Sequence, residues 1–150
     1  MTNTASASVH ASAVLVENRA VLIRGPSGSG KSRLALSLLQ ACTNGGVGFA
    51  RLIADDRARL EACHGRLLVR PAQALAGLIE VRGLGIRRLP YEPVAVVGSV
   101  VDLAAADAER LPGQDQRLVV IAGTKLPRLA VALGESALPV VLACLTTSAA

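Results

Sequence analysis

The chain has 150 residues, of which 51% are hydrophobic and 18% charged, and a formal net charge of +5. This length suits one domain with a sizeable buried core, and this balance excludes a disordered chain. With one Tyr, one Phe and no Trp there is no aromatic platform for stacking bases, so the basic charge points to a nucleotide or an acidic protein partner rather than to nucleic acid.

Residues 1–8 are small and polar and are expected to be frayed, leaving 9–150 as one domain. From Val9 the apolar density rises through Ala13 to Val16 as a strand with His10 at its start, and Glu17-Asn18-Arg19 turns the chain into a second strand, Ala20 to Ile23. That strand runs into Gly25-Pro26-Ser27-Gly28-Ser29-Gly30-Lys31-Ser32, which fits the phosphate-binding P-loop G-x-x-x-x-G-K-[ST] at every fixed position. The chemistry follows from the residue types. Glycines let successive backbone N–H groups turn toward one centre, Lys31 supplies a fixed positive charge for the outer phosphates, and the Ser32 hydroxyl suits a magnesium ion bridging them. Leu34, Ala35, Leu38, Leu39 and Cys42 then recur at helical spacing, so the loop opens a helix whose N-terminal end favours anions.

Thr43 to Gly48 is a loop by composition, and Arg51 to Ala54 is a strand ending in Asp55-Asp56. An apolar strand ending in a carboxylate downstream of a P-loop is suited to face a nucleotide and its metal. Adjacent residues on an extended segment point to opposite sides, so one of the two faces the site directly. Residues 59–69 read as a hairpin turning at His64-Gly65, and Pro71 to Gly77 as a short helical or irregular connection. Leu78 to Ile86, with Gly83, Gly85 and the charged pair Glu80 and Arg82, is unlike a plain strand. Strands are expected at 94–103, 118–122 and 129–133, while 136–146 is either a strand or a terminal helix capped near Ser136. Strands outnumber helices, so the pattern is α/β without regular β-α-β alternation. Cys42, Cys63 and Cys144 are widely spaced and suggest neither disulfides nor zinc, as expected in a reducing cytoplasmic setting. No apolar run reaches the length of a bilayer crossing, so no membrane role is expected.

Taken together, His10 upstream of the P-loop, the run Leu52-Ile53-Ala54-Asp55-Asp56-Arg57, and Ile79-Glu80-Val81-Arg82-Gly83-Leu84-Gly85-Ile86 resemble the C-terminal catalytic domain of the HPr kinase/phosphorylase family, in a form without the family's N-terminal domain. Val100-Val101-Asp102-Leu103 followed by Glu109-Arg110-Leu111 is similar to the family segment that carries a catalytic arginine. The resemblance implies a strand-rich P-loop domain of the HPr kinase/phosphoenolpyruvate carboxykinase-like fold. It implies an ATP- and Mg2+-dependent serine kinase acting on HPr of the phosphotransferase system in the regulation of carbon metabolism. It further implies that the loop from Gly25 to Ser32 holds ATP, that Ser32 and Glu80 hold the metal, and that Asp56 is the base with Asp55 as its neighbour. His10, Lys31 and Arg110 would complete the catalytic set. The family's arginine-asparagine element for dephosphorylation has no counterpart at Leu133-Gly134-Glu135-Ser136, which weakens the expectation of phosphorylase activity and leaves the family's homo-oligomeric assembly open. The rival readings are a nucleotide-sensing module without turnover and a small-molecule kinase; a GTPase is disfavoured because no N-K-x-D occurs.

Overall fold

A computed structural model of the protein describes residues 7–43 and 48–150. Most of the expected frayed N-terminus and the centre of the glycine-rich loop at 43–48 lie outside the described residues. The first strand, β1 (Ala7–Val16), already includes Ala7 and Ser8, so it starts two residues before the boundary drawn at residue 9. It pairs antiparallel with β2 (Arg19–Arg24), Ala13 opposite Leu22. β2 feeds the P-loop, and the loop opens α1 (Lys31–Thr43).

Two further strands, β3 (Ala50–Ala54) and β4 (Arg57–Cys63), both pair antiparallel with β1. β3 lies along Ala13 to Val16 and β4 along Ala7 to His10. The chain therefore turns a corner at Asp55-Asp56, held against the middle of β1. β4 and β5 (Arg66–Pro71) form the expected hairpin. His64 and Gly65 sit at its turn with φ of 51° and 77°, the left-handed pair that matches the twist of a two-residue hairpin loop. A single 3-10 turn, Gln73–Leu75, leads to β6 (Leu78–Val81) and β7 (Gly85–Arg88), which pair only with each other. The glycine-bearing segment is thus a hairpin in its own right.

The long strand β8 (Ala95–Leu103) joins the two halves of the sheet. Its start pairs antiparallel with β5 and the rest runs parallel to β2, with Asp102 beside Arg24. On its other side lies β10 (Thr124–Val131), also parallel, with β9 (Leu118–Ile121) at the edge. β10 begins at Thr124, earlier than the expected 129, because Ala122-Gly123 makes a tight turn with positive φ at both residues and brings the next residues straight back along β9. The 136–146 segment, open between strand and helix, is α2 (Ala137–Thr146).

Alternation along β2 explains why its sequence is apolar from Ala20 to Ile23. Ala20 and Leu22 enter one core cluster with Ala11, Ala58, Leu67 and Val100, whereas Val21 and Ile23 enter another with Leu34, Leu38 and Ile79. A strand covered on both faces has no solvated side to carry polar residues. The second cluster seats α1 against the sheet, and this fixes the direction in which the loop before it faces. No helix of the described residues is long and apolar enough to cross a membrane.

Candidate active site

The loop between β2 and α1 owes its shape to its glycines. Gly28 and Gly30 have φ of 81° and 99°, a region that strains any residue with a Cβ. At Gly25 the constraint is close approach: a Cβ there would come within 2.5 Å of Ser29 Oγ and 3.1 Å of the Leu103 carbonyl. The Ser29 N–H donates to the Pro26 carbonyl at 3.0 Å, and the Leu34 N–H to the Gly30 carbonyl at 2.9 Å, which opens the helix. Lys31 folds back over the loop and its Nζ donates to the carbonyls of Gly25 (2.8 Å) and Pro26 (3.2 Å). Ser29 Oγ is the buried side-chain polar atom that has no partner among the described residues. Buried polar groups are rarely left unpaired. An orphan hydroxyl within a ring of glycines, beside a lysine and a helix N-terminus, fits a ligand rich in acceptor oxygens.

Asp55 is 5% exposed and is the hub of the site. Its Oδ1 accepts from Ser32 Oγ and from Ser12 Oγ, each at 2.7 Å. Its Oδ2 accepts the backbone N–H of Glu80 at 3.1 Å. Three separate segments, the P-loop helix, β1 and β6, therefore meet on one carboxylate. Ile79, almost fully buried among Leu34, Leu38 and Leu52, anchors β6 on α1 and so delivers Glu80 to this point. The Glu80 side chain is exposed, and no ion pair joins it to Arg82 among the described residues.

Asp56 is turned the other way. With φ of 68° it is not extended, and the left-handed turn rather than strand alternation separates the two carboxylates. Its side chain is 68% exposed and lies 4.0 Å from Nδ1 of His10, itself 65% exposed. His10, Lys31, Ser32, Asp55, Asp56 and Glu80 thus belong to one neighbourhood. Arg110 does not join it by contact: it is exposed on the segment after β8 and makes no hydrogen bond or ion pair with those residues.

For a magnesium ion the fit rests on donor chemistry. No cluster of three or more His, Cys, Asp or Glu exists among the described residues, but magnesium bound with a nucleotide takes one or two protein oxygens plus phosphates and waters. Ser32 Oγ and the free Glu80 carboxylate are oxygen donors of that kind.

A second polar cluster lies behind the loop and escaped sequence reasoning. Asp102 accepts from Arg24 Nε at 2.8 Å and Nη2 at 2.9 Å, and from Arg128 Nε at 2.6 Å. Arg128 also holds Asp107 with both Nη atoms, at 2.8 and 2.9 Å, and the Gln116 carbonyl at 3.1 Å. Burial works to raise the Asp102 pKa, but the hydrogen bonds and charges of the two arginines outweigh it and the net shift is downward. The same arginine lowers Asp107. Ser12 was also missed; its only signal is that it is the one hydroxyl in an otherwise apolar run from Ala11 to Val16.

Residues 2–90 match the family model described as the HPr serine kinase C-terminal domain. Among curated proteins the chain is similar to an HPr kinase/phosphorylase of Streptococcus thermophilus, 42% identical over 80 residues (53% of this chain, 24% of the relative). One from Clostridium tetani is 37% identical over 82 residues (55% and 25%). For one from Streptococcus sanguinis the likeness extends over 133 residues at 33% identity (81% and 40%). The chain thus spans about a quarter of the length of the first two relatives and two-fifths of the third. The solved Hpr(Ser) kinase/phosphatase of Coxiella burnetii shares the fold, with a TM-score of 0.72 at 22% identity and 93% of each chain covered.

Proposed function

Because the chain belongs to the HPr serine kinase C-terminal domain family, we propose that it transfers the γ-phosphoryl group of ATP to a serine of HPr or an HPr-like carrier protein. The observation that carries this reading is the division of labour between neighbouring acids: Asp55 is buried on Ser32 at 2.7 Å, while Asp56 stands exposed beside His10. The loop amides from Gly25 to Ser32 and Lys31 bind and orient the triphosphate. Ser32 and Glu80 would hold a magnesium ion, whose charge would neutralise that building on the phosphoryl oxygens. Asp55 keeps the Ser32 hydroxyl proton turned toward itself, so the oxygen's lone pairs remain free to face the ligand. Asp56, which a protein surface can reach, takes the proton of the attacking serine hydroxyl, and His10 steadies that carboxylate. The charge of Arg110 would act on the transferring group.

A nucleotide-binding module without turnover is the second reading, and the observation on its side is that Arg110 makes no hydrogen bond or ion pair with the other site residues. The test is transfer itself. The chain is incubated with Mg-ATP and HPr, and phosphoserine is read by mass spectrometry; phosphoserine on HPr supports the kinase, and ATP binding with unmodified HPr supports the module.

A further inference from the structure

Ser12 lies on β1 with no exposed surface. Its hydroxyl donates to Asp55 Oδ1 at 2.7 Å, and its Oγ accepts the backbone N–H of Asp56 at 3.4 Å. An ionised carboxylate only accepts, so the single Ser12 proton goes to Asp55 and its lone pairs are left for the Asp56 N–H. The rest of the corner is fixed by backbone bonds, from the Ala11 N–H to the Asp56 carbonyl at 3.2 Å and from the Arg57 N–H to the Asp55 carbonyl at 2.8 Å. Asp56 sits at φ 68°, in the left-handed region that aspartate enters more readily than most residues with a Cβ but still at some cost, which contacts to its backbone offset.

We infer that Ser12 is the positioning residue of this site: one buried hydroxyl clamps both acids, facing Asp55 inward onto Ser32 and holding Asp56 in the left-handed turn that sends its carboxylate outward beside His10. This rests on the kinase reading for its functional consequence but not for the clamp itself. Without the hydroxyl, Asp55 Oδ1 keeps Ser32 as its only hydroxyl donor, and the Asp56 N–H loses its side-chain acceptor. Nucleotide binding, which depends on the loop and Lys31, has no direct contact with Ser12. The loss should therefore fall on turnover and not on affinity.

The experiment compares the full chain with Ser12→Ala and Ser12→Thr by two readouts. Hydrogen exchange at the Asp56 amide should quicken about tenfold or more in Ser12→Ala and return toward the parent rate in Ser12→Thr. The kcat for HPr phosphorylation should fall about tenfold to a hundredfold in Ser12→Ala, as expected for a reacting group displaced by under an ångström. The KM for ATP should stay within about threefold, and Ser12→Thr should recover turnover. Unchanged exchange in Ser12→Ala overturns the clamp whatever the activity. Faster exchange with an unchanged kcat overturns the positioning role, as does a folded Ser12→Thr no better than Ser12→Ala. A parent chain that transfers nothing defeats the kinase reading, and the positioning role with it, while exchange still decides the clamp. Should Ser12→Ala not fold, Ser12→Cys takes its place, since a thiol fills a similar volume but is a weak donor and acceptor.

Discussion

Arg128 is the joint between the sheet and the segment that follows β8, and Arg128→Met isolates its contribution. The substitution keeps most of the aliphatic stem and removes the guanidinium. Asp102 and Arg128 are each 14% exposed, so their 2.6 Å contact is a charge-assisted hydrogen bond sheltered from water, worth about 1.5–3 kcal/mol. The bond to the Gln116 carbonyl adds roughly 0.5–1.5 kcal/mol. Arg24 remains on Asp102 through two bonds, so the aspartate is not left unpaired and the larger penalty of an orphaned buried charge does not arise. The expected loss at pH 7 is about 2–4 kcal/mol, or roughly 5–15 °C in Tm for a domain of this size. The pH dependence has a definite sign. The folded-state pKa of Asp102 lies below its ordinary value, so its contribution is complete above about pH 4 and is lost as pH falls through the lowered value. Urea unfolding of parent and variant at pH 7 and near pH 3 should show a large gap in the midpoint that narrows in acid. A gap under about 0.5 kcal/mol at pH 7, or one of equal size at both pH values, would refute this reasoning.

Two further outcomes follow from the geometry. Leu38 of α1 is fully buried in the cluster that joins the helix to the sheet, so Leu38→Ala should cost about 2–5 kcal/mol in urea unfolding. A Cβ on Gly30 would meet nothing within 4 Å, but φ there is 99°, so Gly30→Ala should strain only the backbone, by about 1–2 kcal/mol. Because the strain falls within the loop, ATP affinity by calorimetry should drop while the rest of the fold persists.

Local features were legible in the sequence because adjacent residues make them. The P-loop needs only its own glycines, Lys31 and Ser32; the turn at His64-Gly65 needs two left-handed residues; the buried strand β2 needs an apolar run. The strand ending in Asp55-Asp56 also drew attention to the acid pair, and the family resemblance extended this reach to Glu80. What stayed hidden depends on partners far along the chain. Ser12 acquires a role only because β1 lies across the corner between β3 and β4, 43 residues away. Asp102, Arg24 and Arg128 form a cluster only because β2 and β10 both run parallel to β8, and an apolar run marks a buried strand without saying which strands lie beside it. The separation of Asp55 from Asp56 was expected from strand alternation, yet its cause is the positive φ at Asp56, which no pattern of residue types announces. The extent of β10 was missed because a β-turn at Ala122-Gly123 returns the chain sooner than the apolar run at 129–133 suggests.

The most direct measurement of the account is phosphoryl transfer and ATP affinity, determined together for the parent, Asp56→Asn and Lys31→Ala with HPr as acceptor. The parent is expected to form phosphoserine. Asp56→Asn should lose transfer by about a hundredfold or more with its Kd for ATP within about threefold, and Lys31→Ala should lose affinity itself by about tenfold or more. Equal turnover in Asp56→Asn, or a parent that binds Mg-ATP tightly and leaves HPr unmodified, would contradict it.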